Sequence, residues 1–202
     1  MSDFVIVIGR QYGAGGRRLG KLLAQKLNIP YYDKELLAEA AESLGISPEF
    51  FKKVDEKRPS FIRSLLSFNY GATSAADNRG SLSEENLYQM QSQVIKSICE
   101  KGSCVIVGRT ADYVLRDHPG LLSIFVHAPE ETRAQNILKR EEAKDLHEAL
   151  EKAKKNDRTR ESYYNYFTNR AWGHAANYDL TIDSSKFSLD ETASFIISHL
   201  PA

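Results

Sequence analysis

Ten consecutive residues carry the densest chemistry in the chain: Gly9-Arg10-Gln11-Tyr12-Gly13-Ala14-Gly15-Gly16-Arg17-Arg18. Glycine lets a backbone turn tightly and brings N–H groups close to an anion. A helix that starts just after such a turn adds the positive end of its dipole. Composition and position together predict a loop that holds the phosphates of a nucleotide, with Gly13, Ala14, Gly15, Gly16, Arg17 and Arg18 as its contact residues. The standard spacing for such a phosphate loop is G-x-x-x-x-G-K-S/T, and this segment departs from it. With Gly15 as the second motif glycine, Arg10 stands at the first and Gly16 at the lysine. The loop has no serine or threonine for a magnesium ion. Arg17 or Arg18 is expected to supply the missing positive charge, although guanidinium and ammonium are not interchangeable. A purely structural turn with its arginines facing water has the same composition.

The elements around the loop follow from apolar periodicity. Phe4-Val5-Ile6-Val7-Ile8 is a β-branched run, read as a strand buried on both faces. Leu19, Leu22, Leu23 and Leu27 recur at helical spacing, and Asn28 and Pro30 end that helix. A second strand is predicted over residues 29–32 and ends at Asp33. Amphipathic helices follow, one carrying Leu36, Leu37, Ala40, Ala41 and Leu44 and a short one after Pro48. Residues 67–83 are rich in small and polar types without a period, which predicts a loop. Residues 84–101 are helical, with Leu87, Met90, Val94, Ile95 and Ile98 facing inward. Strands are predicted at 104–107, ending at Gly108-Arg109, at 121–126 and at 180–182. Helices are predicted from Pro129, over 146–167 and over 190–200.

About five short strands separated by helices make an α/β fold, a doubly wound parallel sheet with helices on both faces. Such sheets bind ligands beyond the carboxyl ends of their strands. The glycine loop, Asp33 and Arg109 each follow a predicted strand, so the fold gathers them on one edge.

Composition sets outer limits. The chain has 202 residues, 42% hydrophobic and 27% charged, with zero formal net charge. This is the balance of one soluble globular domain. Neutrality gives no global pull on nucleic acid or anionic membrane, so any anion site must come from local clustering of arginines. No apolar run reaches membrane-spanning length and no secretion signal is visible. Cys99 and Cys104 form no metal-binding pattern and read as reduced cysteines of a cytoplasmic protein. The histidines are scattered, and none is assigned a catalytic role.

Six stretches, in order, resemble the cytidylate-kinase-like branch of the nucleoside monophosphate kinases. They are Ile8 to Arg17, Pro30-Tyr31-Tyr32-Asp33, Val105-Ile106-Val107-Gly108-Arg109, Phe125-Val126-His127-Ala128-Pro129-Glu130-Glu131-Thr132-Arg133, Asp157-Arg158-Thr159-Arg160-Glu161-Ser162-Tyr163-Tyr164 and Asn177-Tyr178-Asp179-Leu180-Thr181-Ile182-Asp183. The resemblance implies a P-loop NTPase-like single domain over residues 1–202. It would carry a helical acceptor-binding insert at about 45–101 and a lid at about 139–167. It implies phosphoryl transfer from ATP, with Mg2+, to a nucleotide acceptor, CMP or dCMP. By the same resemblance the glycine loop holds the donor phosphates, and Asp33 and Arg109 face the acceptor. Arg133, Arg158 and Arg160 lie on or near the lid, and Asp157 helps to read the acceptor. The strand before Arg109 lacks the acidic residue that often ends it in this family. Magnesium ligands and oligomeric state are not readable.

Phosphoryl transfer needs in-line positioning and positive charge around the moving group. Arginine suits it because its planar fork pairs bidentately with phosphate oxygens. Arg17, Arg109, Arg133 and Arg160 are therefore the candidate catalytic residues, with Arg17, Arg109 and Arg160 able to offset part of a lost lysine. Arg133, Arg140 and Arg158 have acidic neighbours, and a solvated helix face with weak ion pairs explains them as well. The aromatic group Tyr163, Tyr164, Tyr166, Phe167 and Trp172 is read as packing rather than base stacking. Two other functions fit the same residues: a kinase of another small metabolite, or a nucleotide-binding protein that does not catalyse.

Overall fold

The structure, a computed structural model, describes residues 3–33 and 84–201. Among them, strands β1 (Val5–Arg10), β2 (Tyr31–Tyr32), β3 (Cys104–Val107), β4 (Leu121–His127) and β5 (Leu180–Asp183) form one sheet. The strand order is β2-β3-β1-β4-β5, and every neighbouring pair is parallel. The helices are α1 (Gly16–Leu27), α2 (Glu84–Cys99), α3 (Ala111–Val114), α4 (Glu130–Leu138), α5 (Leu146–Thr168) and α6 (Leu189–Ser198). The expected helices around residues 36–44 and after Pro48, and the expected loop at 67–83, lie outside the described residues. Of the insert placed at 45–101, α2 is the described part.

Alternate residues of a strand face opposite sides of the sheet, and here both sides are covered. Ile6 and Ile8 of β1 pack with Leu19 and Leu23 of α1 and Ile196 of α6. Val5 and Val7 pack on the other side with Val94, Ile95 and Ile98 of α2 and Ala111 of α3. Double coverage explains why β1 reads as an unbroken apolar run. Cys99 and Cys104 are buried free thiols in the second cluster. No described helix is long and apolar enough to cross a membrane.

β1 is the central strand, with β3 on one side and β4 on the other. The chain order reverses there, which opens a crevice beyond its carboxyl end. Unlike the sequence reading, β1 continues past Ile8 to Arg10, because the seven-residue β4 extends the ladder through Gly9↔Phe125 and Arg10↔Val126. Arg10 is thus a strand residue, held on a rigid element. A second difference is α3, a single turn that no periodicity announced. Gly108, Arg109 and Thr110 precede it with φ of 80°, 65° and 52°. Successive left-handed residues, one of them β-branched, are costly, and side chains hold them in place. Gln91 Nε2 donates to the Arg109 carbonyl at 3.1 Å, and Thr110 Oγ1 donates to it at 2.6 Å.

The aromatic residues pack the long helix α5 onto the body, as expected. Phe167 stacks on Tyr88 at 4.2 Å, and Trp172 stands edge-on to Phe125 at 5.2 Å. Buried Tyr164 of α5 donates its hydroxyl to Asp112 Oδ2 of α3 at 2.7 Å. Burial pushes the Asp112 carboxyl above its ordinary value, and the Tyr164 hydroxyl pulls it back. A raised carboxyl value means that its stabilising contribution is present at low pH and is lost as pH rises through the folded value. Tyr164→Phe removes the donor to the charged form and raises that value further. It should cost about 1–3 kcal/mol at neutral pH. The deficit, read by urea unfolding, should grow between about pH 4 and about pH 7. An equal deficit at both pH values would show that the carboxylate does not feel the hydroxyl.

Candidate active site

The glycine loop turns at the carboxyl end of β1, and its carbonyls are tied down one by one. Arg133 Nη1 donates to the Tyr12 carbonyl at 3.2 Å, Asn136 Nδ2 to that of Gly13 at 3.0 Å, and Ser184 Oγ to that of Ala14 at 2.7 Å. These donors come from α4 and from the residue after β5. The loop meets α4 so closely that a Cβ on Gly13, whose φ is 85°, would stand 2.6 Å from the Arg133 carbonyl oxygen. With its carbonyls held by these side chains, the turn offers its remaining amides and the first-turn amides of α1, which have no acceptor within the helix. This is an anion-binding arrangement.

The same side chains lock one another. Arg133 is 5% exposed. Its Nε donates to the Ala128 carbonyl at 3.1 Å, and its Nη1 pairs with Asp157 Oδ2 at 2.5 Å. Asp157 Oδ1 accepts from the Tyr12 amide at 2.7 Å. Burial pushes the Asp157 carboxyl up, and the Tyr12 amide, Arg133 and Arg160 pull it down in part. Arg133 and Asp157, predicted separately as a lid cation and an acceptor reader, are thus brought together as one buried ion pair under the loop. Arg158 faces solvent, and Arg140 pairs with Glu142 at 3.2 Å.

Four arginines gather on the β3 side of the loop. Arg10, Arg17, Arg109 and Arg160 are close enough that the last three each disfavour the charge on Arg10. Arg160 Nη1 donates to the Arg10 carbonyl at 3.1 Å, stands 3.7 Å from Asp157, and lies over the Tyr12 ring at 5.2 Å. Arg17 Nε is 3.5 Å from Asp33 Oδ2, which also accepts from the Tyr31 hydroxyl at 3.2 Å. Asp33 is 6% exposed. Sequence reasoning brought the glycine loop with Arg17, Asp33 and Arg109 to this edge and placed Arg160 on or near the lid. It missed Arg10, counted only as a departure from the loop pattern; the available signal was its place at the end of a buried strand.

Arg18 points away from that cluster. It lines a cleft of about 340 Å3 on the β4–β5 side of the loop, with Ala14, Gly15, Thr132, Asn136 and Phe187. The loop therefore lies between this cleft and the arginine cluster. Donor phosphates fit the loop between them. For magnesium the fit is poorer: Arg17 stands at the usual hydroxyl position, and among the described residues no three His, Cys, Asp or Glu side chains gather as ligands. A magnesium ion often binds through substrate phosphates and water.

A parallel sheet in this order with a phosphate loop on its central strand defines an α/β phosphotransferase of the P-loop kinase type. The chain belongs to the cytidylate kinase-like family, whose model matches residues 5–186. It is 27% identical to a cytidylate kinase of Methanopyrus kandleri, covering 95% of this chain and 90% of that enzyme. It is 25% identical to one of Methanocaldococcus jannaschii, covering 96% of each. A crystal structure of an uncharacterized protein from Eubacterium ventriosum matches with a TM-score of 0.72 and 29% identity over 97% of both chains. Shikimate kinase from Bacteroides thetaiotaomicron shares the fold, with a TM-score of 0.54 and 13% identity over 98% of both chains. The chain is accordingly a nucleotide or small-metabolite kinase.

Asp157→Ala strips a buried guanidinium of its carboxylate and should destabilise the protein by about 3–5 kcal/mol. Asp157→Asn keeps an acceptor for the Tyr12 amide and should cost less. Chemical denaturation of the two variants checks the order, and equal losses would mean that the Tyr12 bond contributes nothing.

Proposed function

We propose that this chain transfers the γ-phosphoryl group of ATP to a pyrimidine nucleoside monophosphate, CMP or dCMP. The observation that carries this reading is the pairing of an anion-binding glycine loop with the Arg10, Arg17, Arg109 and Arg160 cluster at one sheet edge, in a chain of the cytidylate kinase-like family. Gly13, Ala14, Gly15 and Gly16 hold the donor phosphates by their backbone, and Arg18 reaches them from the other side. The cleft beside Arg18 and Phe187 takes the donor base. An acceptor phosphate oxygen attacks the γ-phosphorus in line, and ADP leaves. Arg17, Arg109 and Arg160 bind the acceptor phosphate and the charge that spreads over the moving group. Asp33 sets the direction of Arg17 and faces the acceptor. Arg133 and Asp157 act through the loop, by holding Tyr12. Residues 139–167 form a lid that closes over the transfer.

Consumption of ATP should be seen with CMP or dCMP in a screen that also holds UMP, AMP and common small metabolites. Turnover confined to a non-nucleotide would replace the acceptor, and nucleotide binding without any turnover would remove the catalytic reading. Arg109→Ala should lower kcat by about a thousandfold while the melting temperature stays near that of the wild type. Full activity in that variant would take Arg109 out of the site.

A further inference from the structure

Arg10 occupies the first glycine position of the phosphate-loop pattern, and Gly16 occupies its lysine position. The structure joins the two departures. A Cβ on Gly16 would lie 2.7 Å from Arg10 Cβ and 3.1 Å from Arg10 Cγ. No side chain fits at position 16 while the Arg10 side chain lies where it does. The space from which a loop lysine would rise is filled by the stem of Arg10. From there the side chain runs on to the end of β3, where a Cβ on Gly108 would overlap Arg10 Nη1 and stand 2.9 Å from Cζ. Two glycines thus clear a channel for this one arginine.

Its base is rigid. Arg10 is held in the ladder against Val126, and its carbonyl accepts from Arg160. Among the described residues its guanidinium has no hydrogen-bond or carboxylate partner. Burial, with Arg160, Arg109 and Arg17 close by, disfavours its charge, yet a guanidinium stays protonated in proteins. A withdrawn cation among like charges is stabilised by a multivalent anion. Phosphate oxygens meet its fork bidentately.

We propose that Arg10 is the catalytic cation of this loop: carried past Gly16 to Gly108, its guanidinium binds the transferring phosphoryl group in place of the P-loop lysine, and position 16 is glycine because Arg10 fills its side-chain space. The inference rests on the phosphoryl-transfer reading above. Arg10 donates hydrogen bonds to the phosphate oxygens throughout and keeps its protons; the bond to the acceptor oxygen forms as that to ADP breaks.

Calorimetry with inorganic tripolyphosphate reads the site without turnover. The wild type should bind it, and Arg10→Ala should bind at least about tenfold more weakly at an unchanged or higher melting temperature. Equal binding by both proteins overturns the inference. In the kinase assay Arg10→Ala should lose about a hundredfold or more in kcat, and full activity there also overturns it. Gly16→Lys alone should lose activity, because the two side chains compete for one space. The double variant Arg10→Gly/Gly16→Lys should recover at least about tenfold over Arg10→Gly, a rescue that a merely structural arginine would not permit. A double variant no better than Arg10→Gly, or a Gly16→Lys variant as active as the wild type, sinks the exchange. Absence of turnover in the wild type, with tripolyphosphate binding still dependent on Arg10, sinks the kinase assignment and leaves the Arg10 phosphate site standing.

Discussion

A backbone turn binds an anion only when its carbonyl dipoles are directed elsewhere, because each carbonyl repels the charge that the neighbouring amide attracts. In this protein the carbonyls of Tyr12, Gly13 and Ala14 are each held by a donor side chain, from Arg133, Asn136 and Ser184. Those donors reach the loop from α4 and from the end of β5, so the amide cradle exists only once the β4–β5 half of the sheet has docked. Asp157 completes the arrangement from α5 by taking the Tyr12 amide and neutralising Arg133. Preorganisation of this kind carries the electrostatic work of phosphoryl transfer, since the donors need no rearrangement when charge develops.

The same logic governs the cations. Four guanidiniums near one point repel one another, and a fold keeps them there only by rigid attachment. Arg10 is fixed by the β-ladder, and Arg109 by a left-handed backbone that Gln91 and Thr110 brace. Arg160 is anchored to the Arg10 carbonyl, and Arg17 to Asp33. Asp33 meets Arg17 and Asp157 meets Arg160 at the margins of the cluster. What remains is a region of concentrated positive potential in a chain without net charge, suited to anionic substrates and to the spread of charge in the transition state.

The loop stands between a cleft and a cluster of arginines, and that position gives the proposed site its direction. Arg18 and Phe187 belong to the cleft beside β5, and the arginine cluster belongs to the side of β3. In the proposed reaction the donor enters from one side and the acceptor from the other, and they meet over the first turn of α1, where the helix dipole is also positive. Strand order produces this division: β1 has a neighbour on each side, and the chain turns opposite ways to reach them.

The amino-acid sequence by itself determined the α/β class, the five parallel strands, the glycine loop and the strand-end positions of Asp33 and Arg109. Apolar runs, glycine clusters and helical periods are local signals, and each is decided within a few residues. It also assigned the aromatic residues of α5 to packing, for the same reason. The tertiary structure alone decided that Arg133 and Asp157 form one buried pair, and that Arg10, not the neighbouring Arg17 or Arg18, fills the space of a loop lysine. Those partners lie 24 and 121 residues apart in the case of Arg133 with Asp157 and with Tyr12. No pattern in a single chain records which side chain occupies a volume that two distant backbone segments leave open.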